Sequence, residues 1–306
     1  MLALYKAKFP TAIQTGIQAG VDLSGWQPAS IWDKLGWAGW SCAKVSEGAF
    51  FTELSAIDHS QAAKDRGIPW GLYHFAKFTD VEAEAERYLV GLRMVESRIG
   101  PPKFHMLDLE APASGDVTAW SERWCQIVEQ ASPLPVIIYT GPGWAQSHLN
   151  DRSVGLGRRA LWVAHYANAG TEEPWVPDLW SDWAIWQWTS TSQLGSLDLN
   201  VAKDTWLASL DAVPAPDPVP VPVDPPALIA PYDGDPMIVV EDARRNLWLV
   251  DGWKYRLIES ADWETKTNPM LVAWARAGVI RSNPDGSPYI GKMADEGWDS
   301  NYLKEI

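Results

Sequence analysis

Lys103-Phe-His-Met-Leu-Asp-Leu-Glu110 is an apolar, strand-like run that finishes in Asp-Leu-Glu. Side chains of a β-strand alternate between its faces, so Asp108 and Glu110 project the same way, about 6–7 Å apart along the strand. Two carboxylates on one face at the end of a buried strand are costly, because each must be solvated, paired or partly protonated. Glycoside hydrolysis needs that arrangement. A strand running out into a polar loop produces Asp-x-Glu by chance, so the neighbouring strands decide.

Working outward, strand-like runs lie near Gly20–Ser24, Ser41–Gly48, Pro69–Ala76, Lys103–Glu110, Leu134–Gly141, Ala160–Ala167, Asp182–Thr189 and Ser196–Ala202. Helix-like segments separate the early ones, at Glu53–Arg66, Asp80–Ser97, Asp116–Ala131 and Pro142–Asn150. The alternation implies parallel βαβ units, and eight strands imply an α/β fold closed into a (β/α) barrel of TIM type. The connections Asn168–Ser181 and Ser190–Gly195 look helix-free, so the barrel is expected to be irregular after its fifth strand.

Barrels of this type keep their chemistry at the C-terminal strand ends. Those ends carry Asp22 with Ser24 and Gln27, Lys44 and Glu47, Tyr73 with His74 and Phe75, Asp108 and Glu110, Tyr139, Trp162 with His165 and Tyr166, Gln187, and Asp198 with Asn200. One polar end means little. Polar or aromatic groups closing nearly every strand on one rim imply a site, and sugar cleavage is the chemistry they fit.

The chain has 306 residues and a net charge of −14 without a basic run, which argues against nucleic acid or an anionic membrane surface as the main partner. Its twenty tryptophans are far above ordinary usage. Many can be core, but flat aromatic faces also pack on the apolar faces of pyranose rings. Cys42 and Cys125 form neither a disulfide framework nor a metal motif and are expected to be buried thiols. Met1-Leu-Ala-Leu-Tyr-Lys-Ala-Lys-Phe-Pro10 lacks the apolar stretch of a signal peptide, and no run of about 18 apolar residues occurs. Synthesis in the cytoplasm without a signal peptide, and no membrane insertion, are the expectations.

Residues 212–226 hold seven prolines, which favour an extended spacer of roughly 45 Å. The chain therefore divides into a barrel over residues 1–211, a linker over 212–226 and a small α+β domain over 227–306. In the last, Asp251-Gly252 between Leu247–Val250 and Trp253–Ile258 is a hairpin signal, and Asn268-Pro269 opens a helix that Gly278 stops. Behind a proline spacer, such a domain reads as a cell-wall-binding module that concentrates an enzyme on an insoluble substrate. Trp248, Trp253, Tyr255 and Arg256 are its candidate ligand surface.

Asp22-Leu-Ser-Gly-Trp-Gln27, Lys44-Val-Ser-Glu-Gly48, Gly71-Leu-Tyr-His-Phe75, Leu107-Asp-Leu-Glu110, Ile138-Tyr-Thr140, Leu161-Trp-Val-Ala-His-Tyr166, Trp186-Gln187 and Leu197-Asp-Leu-Asn200 resemble, in order and spacing, the motifs of glycoside hydrolase family 25, the Chalaropsis-type lysozymes common as bacteriophage endolysins. The resemblance covers about residues 17–210. It implies an N-acetylmuramidase on an incomplete β/α barrel, cutting the β-1,4 bond between N-acetylmuramic acid and N-acetylglucosamine in peptidoglycan. By position, Glu110 is the implied proton donor, Asp108 orients or stabilises, and Asp22 and Asp198 complete an acidic ring.

Because the family resembles hydrolases whose substrate's acetamido group attacks, Asp108 would position that group and Tyr139 would donate to it. Direct attack by Asp22 or Asp108, or a base-activated water, is the alternative. Tyr73, Tyr139, Trp162, Tyr166, Gln187 and Phe75 are the expected substrate-binding residues, with Tyr73 and Trp162 lining the cleft, although barrel packing explains several of them equally well. His74 and His105 read as hydrogen-bonded structural histidines, and neither a metal nor a cofactor is called for. An inactive glycan-binding or structural wall protein, or a hydrolase of chitin-like chains, remains the other reading, and the intact carboxylate set favours the enzyme.

Overall fold

Eight of the strands close on themselves. The structure, a computed structural model, describes residues 1–190, 197–211, 238–241, 247–251, 254–258 and 290–292. The chain divides into two compact units, Met1–Val219 and Pro220–Ile306, at a point inside the proline-rich stretch; the whole of that stretch, residues 212–226, and the helix expected over 268–278 lie outside the described residues. In the first unit the strands are β1 (Ile17–Leu23), β2 (Ser41–Glu47), the short β3 (Phe51–Thr52), β4 (Trp70–Phe75), β5 (Phe104–Leu109), β6 (Val136–Thr140), β7 (Ala160–Ala164), β8 (Ile185–Thr189) and β9 (Leu199–Lys203). Their order is β1-β9-β8-β7-β6-β5-β4-β2, and β1 also pairs with β2, which closes the ring, while β3 folds back on β2 as a hairpin.

The strands of the ring run parallel as far as β8, and the irregularity expected in the last part of the barrel is the direction of β9. That strand runs antiparallel to both neighbours, with Ile185 opposite Ala202 and Ile17 opposite Lys203. A parallel return needs a crossover of about a dozen residues or more. Only residues 190–198 join β8 to β9, so the chain turns back instead. The start of β9 therefore lies on the same rim as the ends of the other seven strands.

Strands enclosed on both sides read as continuous apolar runs, and β5 and β6 are buried at every position. Inward face a barrel core of Trp40, Cys42, Phe104, Met106, Ile137, Trp162 and Ile185. Outward face Leu107, Leu109, Ile138, Leu161 and Val163, under the helices. The large inward rings fit because two inward positions are glycine: a Cβ at Gly20 would sit 2.1 Å from the Trp40 ring, and one at Gly71 would sit 2.4 Å from Phe104. Helix α6 (Asp204–Asp211) closes the floor, burying Leu207 and Leu210 in the same core, and its last residue pairs with Lys103 at 3.1 Å.

Helices α2 (Ser55–Asp65), α3 (Val81–Ile99), α4 (Thr118–Ala131) and α5 (Pro142–His148) stand close to the spans expected for them. Asp80 caps α3 by accepting the amide of Ala83 at 2.8 Å, which supplies one of the unpaired first-turn donors. Among the described residues no α-helix follows β7 or β8. A helix not anticipated from the sequence, α1 (Leu2–Lys8), covers that side. Tyr5 and Phe9 are fully buried against Trp186 and Trp188, with Phe9 and Trp186 4.7 Å apart between ring centres. Seven residues are too few for a helical period to show. Much of the tryptophan excess is core, with Trp40, Trp124, Trp162 and Trp186 fully buried.

In the second unit β10 (Ile238–Glu241) pairs antiparallel with β11 (Leu247–Asp251), β11 with β12 (Lys254–Ile258), and β10 runs parallel to β13 (Ile290–Lys292). Asp251 stands opposite Lys254, and residues 252–253 between them lie outside the described residues.

Candidate active site

Inward-facing residues at the mouth of the barrel are polar where those below are apolar. Alternation carries Phe104 and Met106 up to Asp108 and Glu110, Ile137 to Tyr139, Ile185 to Gln187, and Ala202 back to Asn200 and Asp198. The reversed direction of β9 is what puts Asp198 and Asn200 here. On β2 the pairing register slips between Lys44 and Ser46, leaving Val45 as a bulge. Residues three apart in a regular strand face opposite ways; the bulge turns Glu47 back inward, so Lys44 pairs with it.

Asp22 is the hub. Its Oδ2 accepts from Asn200 Nδ2 at 2.7 Å and from Gln187 Nε2 at 3.1 Å, and its carboxyl is hydrogen-bonded to that of Asp198. Asn200 is oriented from behind by the Trp162 indole, which donates to its Oδ1 at 2.9 Å. Gln187 Oε1 accepts from Tyr166 at 2.7 Å and from Tyr139 at 3.0 Å, and the Tyr139 hydroxyl also lies 3.4 Å from Glu110 Oε2. A continuous network thus joins Asp22 to Glu110. Asp108 stands apart: it is buried, and its Oδ1 has no hydrogen-bond partner. A buried acceptor without a donor is expensive, and is tolerated where function uses it.

Electrostatics push every carboxyl of the group upward. Burial raises Asp108 well above the usual carboxylate range, and the charges of Glu110 and Asp22 add to it while Lys44 opposes. Burial also raises Asp22, against the bonds from Asn200, Gln187 and Asp198. Asp198 is raised by burial and then by the charge of Asp22, so this pair shares a proton. Glu110 is exposed at the rim yet flanked by protein, and is raised by desolvation and the charge of Asp22 against Tyr139 and Lys44. The arrangement offers an accessible carboxyl that keeps its proton toward neutral pH, beside a buried one with a free acceptor.

The other expected site residues fall into two groups. Tyr166 is half exposed at the mouth, and Phe75 is half-buried with Lys44 and Lys77 each 4.9 Å from its ring centre. Tyr73 and Trp162 do not form an open cleft wall: Tyr73 is buried and Trp162 has no exposed surface, because inward aromatics fill the barrel below the carboxylates. His74 and His105 face outward and are fully buried. Burial lowers His74, so its Nε2–H donates to Glu84 at 2.9 Å and its Nδ1 accepts from Ser46. His105 sits between Tyr88 and Ser132. Asn200, read from the sequence as a polar strand end beside Asp198 without a role of its own, is one of the two amides that fix Asp22.

A closed barrel with four carboxyl groups at its mouth is the architecture of a glycoside-cleaving enzyme. Residues 21–197 match glycosyl hydrolases family 25, and this chain belongs to that family. The match covers more than half of the sequence and stops one residue before Asp198. Lysozyme M1 of Streptomyces globisporus is 26% identical over 207 residues, which are 64% of this chain and 69% of that protein. The crystal structure of the CTP1L endolysin superposes with a TM-score of 0.54 at 26% identity, covering 64% of this chain and 70% of that one. The catalytic domain of the endolysin ply40, from bacteriophage P40 of Listeria monocytogenes, shares the fold at 24% identity, with a TM-score of 0.55 over 63% of this chain and 97% of that one.

Proposed function

We propose that the barrel hydrolyses the β-1,4 bond between N-acetylmuramic acid and N-acetylglucosamine in bacterial peptidoglycan, with Glu110 protonating the leaving oxygen. The observation that carries this reading is the Asp108–Glu110 pair on one inward face, with Glu110 accessible and its proton held up by burial and by Asp22. Family membership, and relatives named as lysozyme and endolysin, support the same substrate.

Asp108 acts on the substrate's acetamido group. Its unpartnered Oδ1 accepts the acetamido N–H, and positive charge developing on an oxazolinium-like centre draws the carboxyl to its ionised form. Tyr139, already shared between Gln187 and Glu110, supplies a hydroxyl to the acetamido oxygen. The Asp22–Asp198 pair, fixed by Asn200 and Gln187, keeps negative potential under the reacting sugar and holds up the pKa of Glu110.

Residues 227–306 form a wall-binding module in this reading, and the whole chain is an endolysin-like enzyme acting on the cell wall. The test is mass spectrometry of fragments released from purified walls. New reducing ends at muramic acid are expected; reducing ends at glucosamine, or no release, would refute the assignment. Retention of anomeric configuration in the first-formed product, read by proton NMR, is the expected mark of acetamido participation.

A further inference from the structure

Glu110 lies one residue past the end of β5, where strand pairing no longer holds the chain. A general acid has to meet its leaving oxygen at hydrogen-bond distance, and a displacement of about 1 Å can cost roughly a hundredfold in rate. Contacts other than the sheet must therefore fix this residue.

The carbonyls on either side of Glu110 are both taken by side chains of one neighbouring segment. The hydroxyl of Thr140, buried at the end of β6, donates to the carbonyl of Leu109 at 2.9 Å. The indole of Trp144, on α5, donates to the carbonyl of Ala111, also at 2.9 Å. Tyr139 of the same segment reaches the carboxyl itself at 3.4 Å. Helix α5 grips the chain further along as well: His148 Nδ1–H donates to the carbonyl of Gly115 at 2.9 Å, and the amide of Val117 donates to the carbonyl of His148 at 2.9 Å. The loop between β5 and α4 is thus tied to one short helix along its length.

The Trp144 ring is itself fixed. It stacks on Phe78, with ring centres 5.5 Å apart and planes 22° from parallel, and its other neighbour is the His148 ring at 4.8 Å. Phe78 is the one non-glycine residue with positive φ among the described residues, at 57°. That conformation is disfavoured for phenylalanine and persists only where the surroundings impose it. Here the buried carboxylate of Glu84 does so by accepting the amides on both sides, from Lys77 at 3.0 Å and from Thr79 at 2.7 Å. The consequence is a flat ring set against Trp144.

We infer that Trp144 is a positioning residue for the acid: with Thr140 it fixes the peptide units around Glu110 and so aims the carboxyl at the leaving oxygen. It acts through Glu110 and not on the sugar, and the inference rests on the acid role proposed for Glu110.

Trp144→Phe keeps a ring for Phe78 and removes the donor, and Thr140→Val keeps the shape and removes the other donor. Both full-length variants, and Glu110→Gln, are compared with the parent chain on two substrates. One is a peptide-free tetrasaccharide of wall glycan. The other is the 2,4-dinitrophenyl glycoside of the N-acetylglucosaminyl-N-acetylmuramic acid disaccharide, whose phenolate leaves without being protonated. On the tetrasaccharide, kcat should fall by roughly ten- to a hundredfold in each positioning variant with KM within about twofold, while the dinitrophenyl glycoside keeps its rate. The alkaline limb of the kcat profile should also move to lower pH, because a carboxyl no longer held against protein regains water and gives up its proton earlier. An unchanged kcat, with or without a raised KM, would overturn the inference, a raised KM alone marking Trp144 as a glycan contact. Equal losses on the two substrates would overturn it too, since they mark a general loosening of the site. Should Trp144→Phe not fold, Thr140→Val decides by the same comparison. Undiminished turnover of the tetrasaccharide by Glu110→Gln would instead remove the acid role on which the inference stands.

Discussion

Two carboxylates two residues apart carry opposite burdens. Glu110 must hold a proton and release it to a leaving oxygen, so Glu110→Gln should keep the fold and lower turnover by roughly two or more orders of magnitude in a wall-clearing assay. Near-normal clearing would remove Glu110 from that role. Asp108→Asn should be equally impaired but more stable. A carboxyl whose folded pKa lies above its unfolded value contributes most stability below about pH 4, and the contribution is lost as pH rises through the folded value. The asparagine does not titrate, so thermal unfolding of the variant should exceed that of the parent chain by a few degrees at neutral pH, with a gap that widens from pH 5 to pH 8. A gap that narrows with rising pH would show that Asp108 is not held protonated by the fold.

At the scale of elements, the features the sequence reading missed are those without a period. Strands announced themselves by apolar runs and helices by their spacing, and both fell within a few residues of their expected spans. The direction of β9 was not visible in its own residues; it followed from the length of the connection before it. Helix α1 was missed because its role is set by tryptophans 180 residues away in the chain. The site was legible in outline because alternation places carboxylates on a face, but whether an aromatic lines a cleft or fills a core depends on neighbours, and Trp162 was read wrongly for that reason. Helix α1 lies outside the family match, yet Phe9→Ala should destabilise the barrel by about 3–5 kcal/mol, since a fully buried ring between Trp186 and Trp188 leaves a cavity there. Calorimetry showing an unchanged transition would mean that α1 is dispensable.

At the scale of the whole molecule, a cut after Asp211 keeps α6 and with it the barrel floor of Leu207 and Leu210. The truncated chain should remain folded and cleave soluble muropeptides at a similar rate, but lose activity on intact walls, where tethering raises local concentration. A cut after Lys203 should unfold it, because the floor goes. Equal activity of the Asp211 truncation on walls would assign residues 227–306 to something other than wall binding.

The seam where β9 meets β1 also sets an order of events in time. Ile17 pairs with Lys203, so the ring closes only between the two ends of the first unit. Strands from β1 to β8 can dock on one another as they are made, but Asp22 waits for Gln187, Asp198 and Asn200. Contacts so distant in sequence form slowly. A nascent chain that has reached β8 therefore carries most of a barrel and the Glu110–Tyr139–Gln187 part of the network, but not the Asp198 and Asn200 that fix Asp22. In refolding from denaturant, lytic activity should return later than far-ultraviolet circular dichroism. The Asp22 hub of the site is then the last part of the barrel to assemble.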